Sequence, residues 1–235
     1  MTPQEQKDYW LKFHRFQQRY EKYYIPSINR VLRAQVKQYL DGGMTAIDSA
    51  GMFRVLLELW KDTGSVWARH SRGLLRKDGQ MGFSERMFQL MRDYFSIDLL
   101  NDAENITQTT RNLIQDVLNR AIAEGLSLDD IVDELTRYDF TRNRARLIAR
   151  TETVGAANAA AVINAEQSGI TLNKIWIAAK DHRTRDHHRE VNQTVLPLEA
   201  AFNVGGYLMK YPGDKAGGAS EVCNCRCVLG FIPVN

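Results

Sequence analysis

Apolar side chains recur every three or four residues through most of the first 168 residues, and this spacing restricts the fold more than any other feature. Positions three and four apart share one face of a helix, so each such stripe predicts an amphipathic helix. The chain of 235 residues contains five prolines, which leaves long stretches free to be helical. The front of the chain is therefore predicted to be mostly helical.

Proline, glycine and capping residues mark the expected ends of these helices. We expect the first helix to stop near Pro26, because the residue before a proline is pushed out of the helical region. Gly125 is placed to close a later helix. Ser127 with Asp130 three residues on is typical of a capping box that begins the next helix. A long helix, alanine-rich in its second half, is predicted for residues 141–168.

The final third of the chain has a different pattern, with short apolar runs between polar and glycine-rich segments. Lys174–Ala179 is typical of a buried strand, and Val191–Leu196 and Cys227–Ile232 are predicted to be further strands. This favours an α+β fold, in which a mostly helical N-terminal region precedes a small α+β domain with a short antiparallel sheet. We therefore divide the chain into an aromatic-rich helical region, residues 1–98, and a second domain, residues 99–235.

Aromatic residues are concentrated on the first predicted helix. Such side chains are favoured both in protein cores and in the centres of interfaces, so core packing and partner binding are both open interpretations. The candidates for partner binding are Trp10, Phe13, Phe16, Tyr20, Tyr23 and Tyr24. A second aromatic and methionine stripe between Phe83 and Phe95 has the same two interpretations.

Composition narrows the class of protein. No run of about 18 apolar residues occurs and the first ten residues form no apolar signal core, so we expect neither a membrane span nor secretion. Residues 1–98 carry 16 basic against 11 acidic side chains, which is too weak an excess for a committed nucleic-acid binder. The three cysteines lie within residues 223–227, and an odd local cluster fits a reducing compartment better than a disulfide framework.

Three short motifs contain most of the chemically active side chains. The first is an arginine-rich turn of the long helix, the second is a dense run of charged and imidazole groups after the Trp176 strand, and the third is a cysteine-rich segment before the last strand. Taken singly, the first motif is typical of a solvated charged face, the second of a structural hydrogen-bond hub and the third of buried free thiols. The candidate residues are Arg146, Arg150, Thr151, Glu152, Trp176, Asp181, Arg183, His188, Asn224, Cys225 and Cys227.

Taken together and in this order, the motifs resemble the phage head morphogenesis family, the Mu F-like minor head or capsid proteins. The resemblance covers roughly residues 100–235 and rests on Arg-Thr-Glu, Asp-x-Arg-Thr-Arg-x-x-His and Asn-Cys-Arg-Cys. Two positions depart from the family pattern. Gln193 stands where a glycine commonly follows the asparagine, and Cys223 is an additional thiol.

The resemblance implies a minor capsid protein of a tailed phage or prophage, made in the bacterial host cytoplasm and located in the virion, at the capsid interior or the portal vertex. It implies association with the portal protein, with scaffold or major capsid protein as further candidates, and non-specific contact with packaged DNA. The expected role is head assembly, DNA delivery or both, and no enzyme is implied. The alternatives are a toxin or effector-type enzyme that uses the turn from Asp181 to His188, and a DNA-binding head protein.

We predict that the residues matching the family meet in one structural cluster, since buried charges require partners. One arrangement holds an arginine between Glu152 and Asp181. No cofactor is otherwise expected, but zinc bound by His188, Cys225 and Cys227 is the alternative, because these side chains are suitable zinc ligands. In an extended strand the two cysteines would lie too far apart to share one ion, so this alternative requires a bend.

Overall fold

The computed structural model describes residues 1–75 and 85–234, and the side chains of residues 1–71, 97–137 and 140–234. Within these residues, five α-helices precede a region of short strands. The helices are α1 (Pro3–Gly42), α2 (Ala50–Leu75), α3 (Glu85–Glu124), α4 (Leu128–Thr136) and α5 (Tyr138–Glu166). The helical front followed by small antiparallel sheets confirms the predicted α+β class.

Five strands and two short helices follow. They are β1 (Leu172–Ile177), α6 (Asp186–Glu190), β2 (Val195–Pro197), β3 (Phe202–Val204), β4 (Tyr207–Met209), α7 (Gly218–Val222) and β5 (Val228–Pro233). Strand β1 lies in the centre of an antiparallel sheet ordered β2-β1-β5, and β3 pairs with β4 in a separate hairpin. In the register of the larger sheet, Trp176 is opposite Leu229, so the central tryptophan is fixed against the last strand.

The predicted end of the first helix near Pro26 is wrong, because α1 continues through this residue to Gly42. A proline inside a helix removes one hydrogen bond and costs about 3 kcal/mol or more. Pro26 is exposed, so water can reach the carbonyl group that loses its donor. Tyr24, Ile28 and Leu32 are buried on one face of the same stretch, and burying them favours a continuous helix over a break.

Other predicted boundaries have mixed outcomes. The capping box of Ser127 and Asp130 is confirmed, with both reciprocal hydrogen bonds present. The long alanine-rich helix and the first buried strand are confirmed as α5 and β1. The strand predicted over Val191–Leu196 is wrong for its first four residues, which form a turn. Gln193 in this turn has φ +67°, a left-handed conformation that does not fit an extended strand.

The chain forms two compact units. Unit 1 comprises residues 1–21, 59–93 and 150–235, and unit 2 comprises residues 22–58 and 94–149. Each unit combines segments from before and after residue 98. Compactness thus divides the chain differently from the predicted division into residues 1–98 and 99–235, which stays a prediction about function.

The core of unit 1 forms where the second half of α5 packs against the sheet. Alanines fill this half of the helix, and Ala157 and Ala161 are fully buried beside the strand residues Ile175 and Trp176. The aromatic start of α1 joins the same core through Phe13, whose ring centroid lies 4.9 Å from that of Trp67. The family motifs are carried by the elements around this core.

Unit 2 is held by a separate apolar cluster and by neutral hydrogen bonds. The apolar cluster combines side chains from α1, α3, α4 and the connection between α1 and α2, namely Val36, Ile47, Ile114, Val117 and Leu135. Beside it the buried Gln35 amide donates to Thr107 Oγ1 at 2.8 Å and accepts from Thr110 Oγ1 at 2.9 Å. The predicted aromatic stripe from Phe83 to Phe95 lies outside the described side chains.

Across the described residues, none of the helices combines the length and the apolar character that a membrane crossing requires.

Candidate functional site

The arginine-rich turn of α5 connects three segments of unit 1. The guanidinium of Arg150 donates to both carboxylate oxygens of Glu21, with N–O distances of 3.1 and 2.8 Å, in a bidentate pair. It also donates to Asn224 Oδ1 at 3.2 Å. Thr151 Oγ1 accepts from the backbone N–H of Asn224 at 3.1 Å. These bonds tie α5 to α1 and to the segment before β5.

The backbone conformation at Asn224 explains why the Asn-Cys-Arg-Cys motif begins with asparagine. Asn224 has φ +59°, a left-handed conformation that asparagine tolerates better than most residues. The bend at this position precedes β5, which begins at Val228 rather than at Cys227 as predicted. Cys225 and Cys227 are therefore not in a regular extended ladder, and the Cys227 N–H donates to Cys225 Sγ at 3.5 Å.

Glu152 is a buried carboxylate with two donors. Trp60 Nε1 donates to one oxygen and Lys215 Nζ to the other, each at 2.9 Å. The segment that carries Lys215 comes close because Gly155 and Gly213 are in backbone contact, where a Cβ on Gly213 would lie 2.9 Å from the Gly155 Cα.

Asp181 is held by a different cation. Both terminal guanidinium nitrogens of the buried Arg226 donate to its carboxylate, Nη2 at 2.7 Å. The backbone N–H of Arg183 also donates to Asp181 at 3.0 Å, while the Arg183 side chain is mostly exposed. The hydrogen bonds from Arg226 are the main reason that the pKa of Asp181 lies well below its usual range.

The predicted arginine shared by Glu152 and Asp181 is therefore wrong. Arg150 is engaged by Glu21, Lys215 supplies the cation for Glu152, and Arg226 supplies it for Asp181. Arg146 is exposed and belongs to unit 2, so it is not part of these contacts. The other predicted motif residues lie in unit 1, in separate pairs rather than around one arginine.

His188, Cys225 and Cys227 form a buried group that we name the thiol–imidazole centre. His188 Nδ1 lies 3.3 Å from Cys227 Sγ and 3.8 Å from Cys225 Sγ. Each of these side chains is 2% exposed or less. The Trp176 ring packs edge-on against the His188 ring, with centroids 5.5 Å apart.

The two thiols are unequal. The hydrogen bond with Cys227, together with burial, raises the pKa of Cys225 well above its ordinary value. Burial alone would raise the pKa of Cys227 as well, but hydrogen bonds from Cys225 and His188 outweigh it and lower this pKa. The shared hydrogen bond thus favours the thiolate form at Cys227 rather than at Cys225.

Glu221 on α7 borders this centre from the other side of the imidazole. Its Oε2 lies 3.1 Å from His188 Nε2, and its Oε1 lies 3.2 Å from His187 Nδ1. Glu221 is buried, and neither its Oε2 nor His188 Nε2 has a well-aligned hydrogen bond within the described part of the chain.

The aromatic candidates divide by burial. Phe13 and Tyr24 are buried, as core packing requires, and Trp10 donates from Nε1 to the Arg226 carbonyl at 3.0 Å. Phe16 packs against Trp67 with centroids 5.0 Å apart, and Tyr20 packs against Phe16 at 4.8 Å. Tyr23 is 68% exposed.

Sequence reasoning missed three polar residues of unit 1 that organise this region. Arg226 stands inside the cysteine motif, and Glu221 is the acidic residue nearest before it, yet neither was selected. Asn158 is fully buried; it donates to the Cys227 and Pro212 carbonyls and accepts from the Leu229 N–H at 2.9 Å. The sequence does indicate Asn158, because a polar amide inside a run of alanines on a buried helix requires hydrogen-bond partners.

Comparison with known proteins identifies the family. The family model described as Phage Mu protein F like protein matches residues 112–230, about half of the chain. The chain therefore belongs to this family, which confirms the resemblance to phage head morphogenesis proteins. The match includes the motif residues of α5, the Asp181–His188 segment and the cysteine segment.

Three relatives illustrate the similarity. The uncharacterized protein YqbB of Bacillus subtilis strain 168 is 29% identical, over 91% of this chain and 79% of its own length. Minor head protein GP7 of Bacillus phage SPP1 is 32% identical over 48% of this chain and 39% of its own length. The NAD(+)–arginine ADP-ribosyltransferase EFV of Enterococcus faecalis V583 is 33% identical over 49% of this chain and 25% of its own length.

The chain thus spans well under half of the two relatives with functional names. No solved structure gives a significant match.

The departure at Gln193 now has a structural meaning. Its left-handed φ of +67° is the conformation for which glycine has the least steric cost, in agreement with the glycine that the resemblance places at this position. In this chain the Gln193 N–H donates to the Trp176 carbonyl at 2.8 Å, and its side chain donates to Gln6 Oε1 at 3.1 Å. These bonds help to hold a residue that would otherwise avoid this conformation.

Proposed function

We propose that the protein is a minor capsid protein of a tailed phage or prophage that joins the head by contacting the portal and acts in head assembly, DNA delivery or both. The observation that carries the proposal is the family match over residues 112–230, together with the similarity to the SPP1 minor head protein. The proposed location is the capsid interior or the portal vertex, with scaffold or major capsid protein as further partners.

The proposed role of the family motifs is structural rather than catalytic. The motif carboxylates are paired inside the chain, Glu152 with Lys215 and Asp181 with Arg226. A general base needs access to a substrate proton, whereas these pairs join separate segments of one unit. The similarity to EFV covers a quarter of that enzyme, so we propose that the shared part is a module without transferase activity.

An assay for transfer of ADP-ribose from NAD(+) to arginine, with the purified chain, tests this part of the proposal. We expect no turnover above the background without protein. Turnover that is lost in Asp181→Ala, while circular dichroism shows that the variant is folded, would support the toxin or effector alternative instead.

For partner contact we propose the exposed part of the aromatic set. Tyr23 offers the largest exposed ring of that set, and Trp10, Phe16 and Tyr20 are partly exposed. Deletion of residues 1–98 is unsuitable as a test, because it also removes Phe13 and Trp67 from the core of unit 1. Surface substitutions avoid this problem.

Co-expression of the chain with the portal, scaffold and major capsid proteins of the same phage tests partner contact. We expect the chain in sedimented procapsids only when the portal is present, and about tenfold less of it for Tyr23→Arg if Tyr23 is a central contact. Tyr207→Arg, which changes another partly exposed tyrosine, is the matched control. Equal incorporation with and without portal would contradict the portal assignment.

Contact with DNA is the second candidate function, and a basic groove in unit 2 favours it. Arg30, Arg33 and Lys37 lie at helical spacing along α1, and Arg137 lines the same groove of about 430 Å³. None of its lining residues is acidic. Lys37 pairs with the exposed Asp41, whereas the three arginines form no ion pair with the side chains that the structure describes. Unpaired guanidinium groups at this spacing suit phosphate oxygens.

The salt dependence of binding to random-sequence DNA tests this groove. We expect Arg30→Ala/Arg33→Ala/Arg137→Ala to lower the affinity and to reduce the slope of log K against log salt by about 0.9 for each phosphate that the variant no longer neutralises. Arg120→Ala/Arg146→Ala/Arg189→Ala removes the same charge elsewhere and should have less effect. If both variants lose affinity equally, net charge rather than the groove is responsible.

A further inference from the structure

We propose that the thiol–imidazole centre of His188, Cys225 and Cys227 binds one zinc ion that joins α6 to the segment before β5. The proposal rests on the geometry of unit 1 and does not depend on contact with a portal or DNA. The candidate ligand atoms of the three side chains all lie within 4.8 Å of one another, and all three residues are buried.

The distances agree with one tetrahedral ion. Zinc binds thiolate sulfur at about 2.3 Å and imidazole nitrogen at about 2.0–2.1 Å, so a tetrahedral centre separates its sulfur and nitrogen ligands by about 3.5 Å. The observed separations of His188 Nδ1 from the two sulfurs, 3.3 and 3.8 Å, bracket that value. Both cysteines precede β5, and the Cys227 N–H donates to Cys225 Sγ at 3.5 Å, so the two thiols are not held apart in an extended ladder.

Glu221 provides the second argument, since a ligating histidine usually directs its other ring nitrogen at a carboxylate or carbonyl oxygen. Glu221 Oε2 lies 3.1 Å from His188 Nε2, on the side of the ring away from the sulfurs. A metal on Nδ1 requires the proton on Nε2, where it faces this carboxylate. This arrangement would give His188 Nε2 and Glu221 Oε2 a hydrogen bond to each other. Otherwise both buried atoms lack a well-aligned partner within the described part of the chain.

Charge balance is compatible with a dication at the two thiols. The buried Glu221 carboxylate is flanked by His187 and His188, with the two thiols beyond the His188 ring. A divalent ion with two thiolates is neutral, so it adds no net charge to the interior. Thiolate and imidazole ligands together suit zinc, whereas magnesium and calcium prefer oxygen. The three protein ligands leave one tetrahedral position for a further ligand.

Metal content of the untagged full-length chain, purified under reducing conditions, tests the proposal directly. We expect one zinc per chain by mass spectrometry, and sulfur and nitrogen neighbours at about 2.3 and 2.0–2.1 Å by X-ray absorption at the zinc edge. Cys225→Ser, Cys227→Ser and His188→Ala should each lose the metal. Cys223→Ser is the matched control, because its thiol lies two residues before Cys225 but is not part of the centre, and it should retain one zinc.

Two further measurements keep the result clear if a ligand variant fails to fold. Glu221→Gln leaves all three ligands in place and should weaken zinc binding about 10–100-fold in a competition with a chelator. A chelator should lower the melting temperature of the parent chain but not that of a folded His188→Ala variant. A folded parent chain that carries no zinc after dialysis against zinc would overturn the proposal, as would an iron or copper centre or equal zinc loss in Cys223→Ser.

Discussion

The two compact units stabilise their buried polar groups in different ways. Unit 1 pairs buried charges with opposite charges, as Asp181 with Arg226 and Glu152 with Lys215. Unit 2 relies on neutral groups, in which the Gln35 amide connects two threonine hydroxyls. Even its partly buried Arg144 donates to neutral oxygens, those of Thr110 and the Ile106 carbonyl.

This difference predicts different sensitivities. Removal of one member of a buried ion pair leaves an unpaired charge and is costly, whereas removal of a neutral partner costs about 1–3 kcal/mol. Unit 1 should therefore respond strongly to charge changes and to pH, and unit 2 weakly. All four tryptophans of the chain, Trp10, Trp60, Trp67 and Trp176, belong to unit 1, so their fluorescence reports on this unit.

The largest effect is expected for Asp181→Ala. The substitution leaves the Arg226 guanidinium, with a side chain 6% exposed, without its carboxylate, and should destabilise unit 1 by about 3–5 kcal/mol. Urea unfolding followed by tryptophan fluorescence measures the change. Because the folded-state pKa of Asp181 is lowered, the ion pair contributes fully above about pH 5, and its contribution falls as the pH drops below about 4.

The control for this experiment is Asp186→Ala. Asp186 pairs with Arg189 at the surface, and its side chain is 82% exposed, so a change within about 0.5 kcal/mol is expected. Equal destabilisation by both substitutions would show that the Asp181 pair has no special role in unit 1.

A buried amide is expected to have the second largest effect. Asn158→Leu removes the acceptor for the Leu229 N–H and the donor to the Cys227 and Pro212 carbonyls, at a cost of about 3 kcal/mol. Asn164→Leu on the same helix is the matched control, because the buried Asn164 Nδ2 has no hydrogen-bond partner within the described part of the chain. If Asn164→Leu is as harmful as Asn158→Leu, side-chain volume rather than hydrogen bonding determines the cost.

The sequence predicted some elements of this structure and not others. Periodicity identified the helices and the buried strand β1, because helix and strand repeats are local properties. The proline rule failed at Pro26, where burial of Tyr24, Ile28 and Leu32 outweighs a local helix breaker. The strand pattern failed over Val191–Thr194, where an apolar residue begins a polar turn.

Motif order predicted the family, but the pairing within the site did not follow from it. Glu152, Asp181 and several arginines were identified, yet which cation meets which carboxylate depends on segments distant in the chain. Lys215 reaches Glu152 across 63 residues, and Glu21 reaches Arg150 across 129. Sequence alone gives no distance between such segments, so the shared arginine was assigned wrongly, and Arg226, the partner of Asp181, was missed.

The next prediction concerns Lys174, a fully buried lysine in β1 that donates to the Lys210 carbonyl at 2.9 Å. Burial is the main reason that its pKa is lowered to about 8. Between about pH 8 and 10 the unfolded chain still binds this proton while the folded chain loses it. The free energy of unfolding of the parent should therefore rise with pH, by up to about 1.4 kcal/mol per pH unit.

The comparison with Lys174→Met isolates this group from other titrations, since the variant should lack the rise. We expect the stability difference between parent and variant to change by about 2 kcal/mol between pH 7.5 and 9.5. Lys180→Met, at an exposed position two residues beyond Ala178, should keep the pH dependence of the parent. Parallel pH profiles for the parent and Lys174→Met would show that Lys174 keeps an ordinary pKa.

The smallest effect is expected in unit 2, where Gln35→Leu removes the amide that connects Thr107, Thr110 and the Asp48 carbonyl. Both threonine hydroxyls keep a hydrogen bond to a carbonyl of their own helix, so the expected cost is about 1–2 kcal/mol. Because no member of this amide–hydroxyl network titrates near neutrality, the cost should be the same at pH 5, 7 and 9.

Hydrogen exchange of peptides from residues 22–58 and 97–124 measures this prediction. Gln38→Leu on the same helix is the control, because Gln38 bonds to the exposed Asp48 side chain and should change stability by less than about 0.5 kcal/mol. A cost for Gln35→Leu that varies strongly with pH would mean that a titrating group belongs to the network. The buried hydrogen bonds around Gln35 would then not be neutral, which would contradict the contrast between a charge-paired unit 1 and a neutral unit 2.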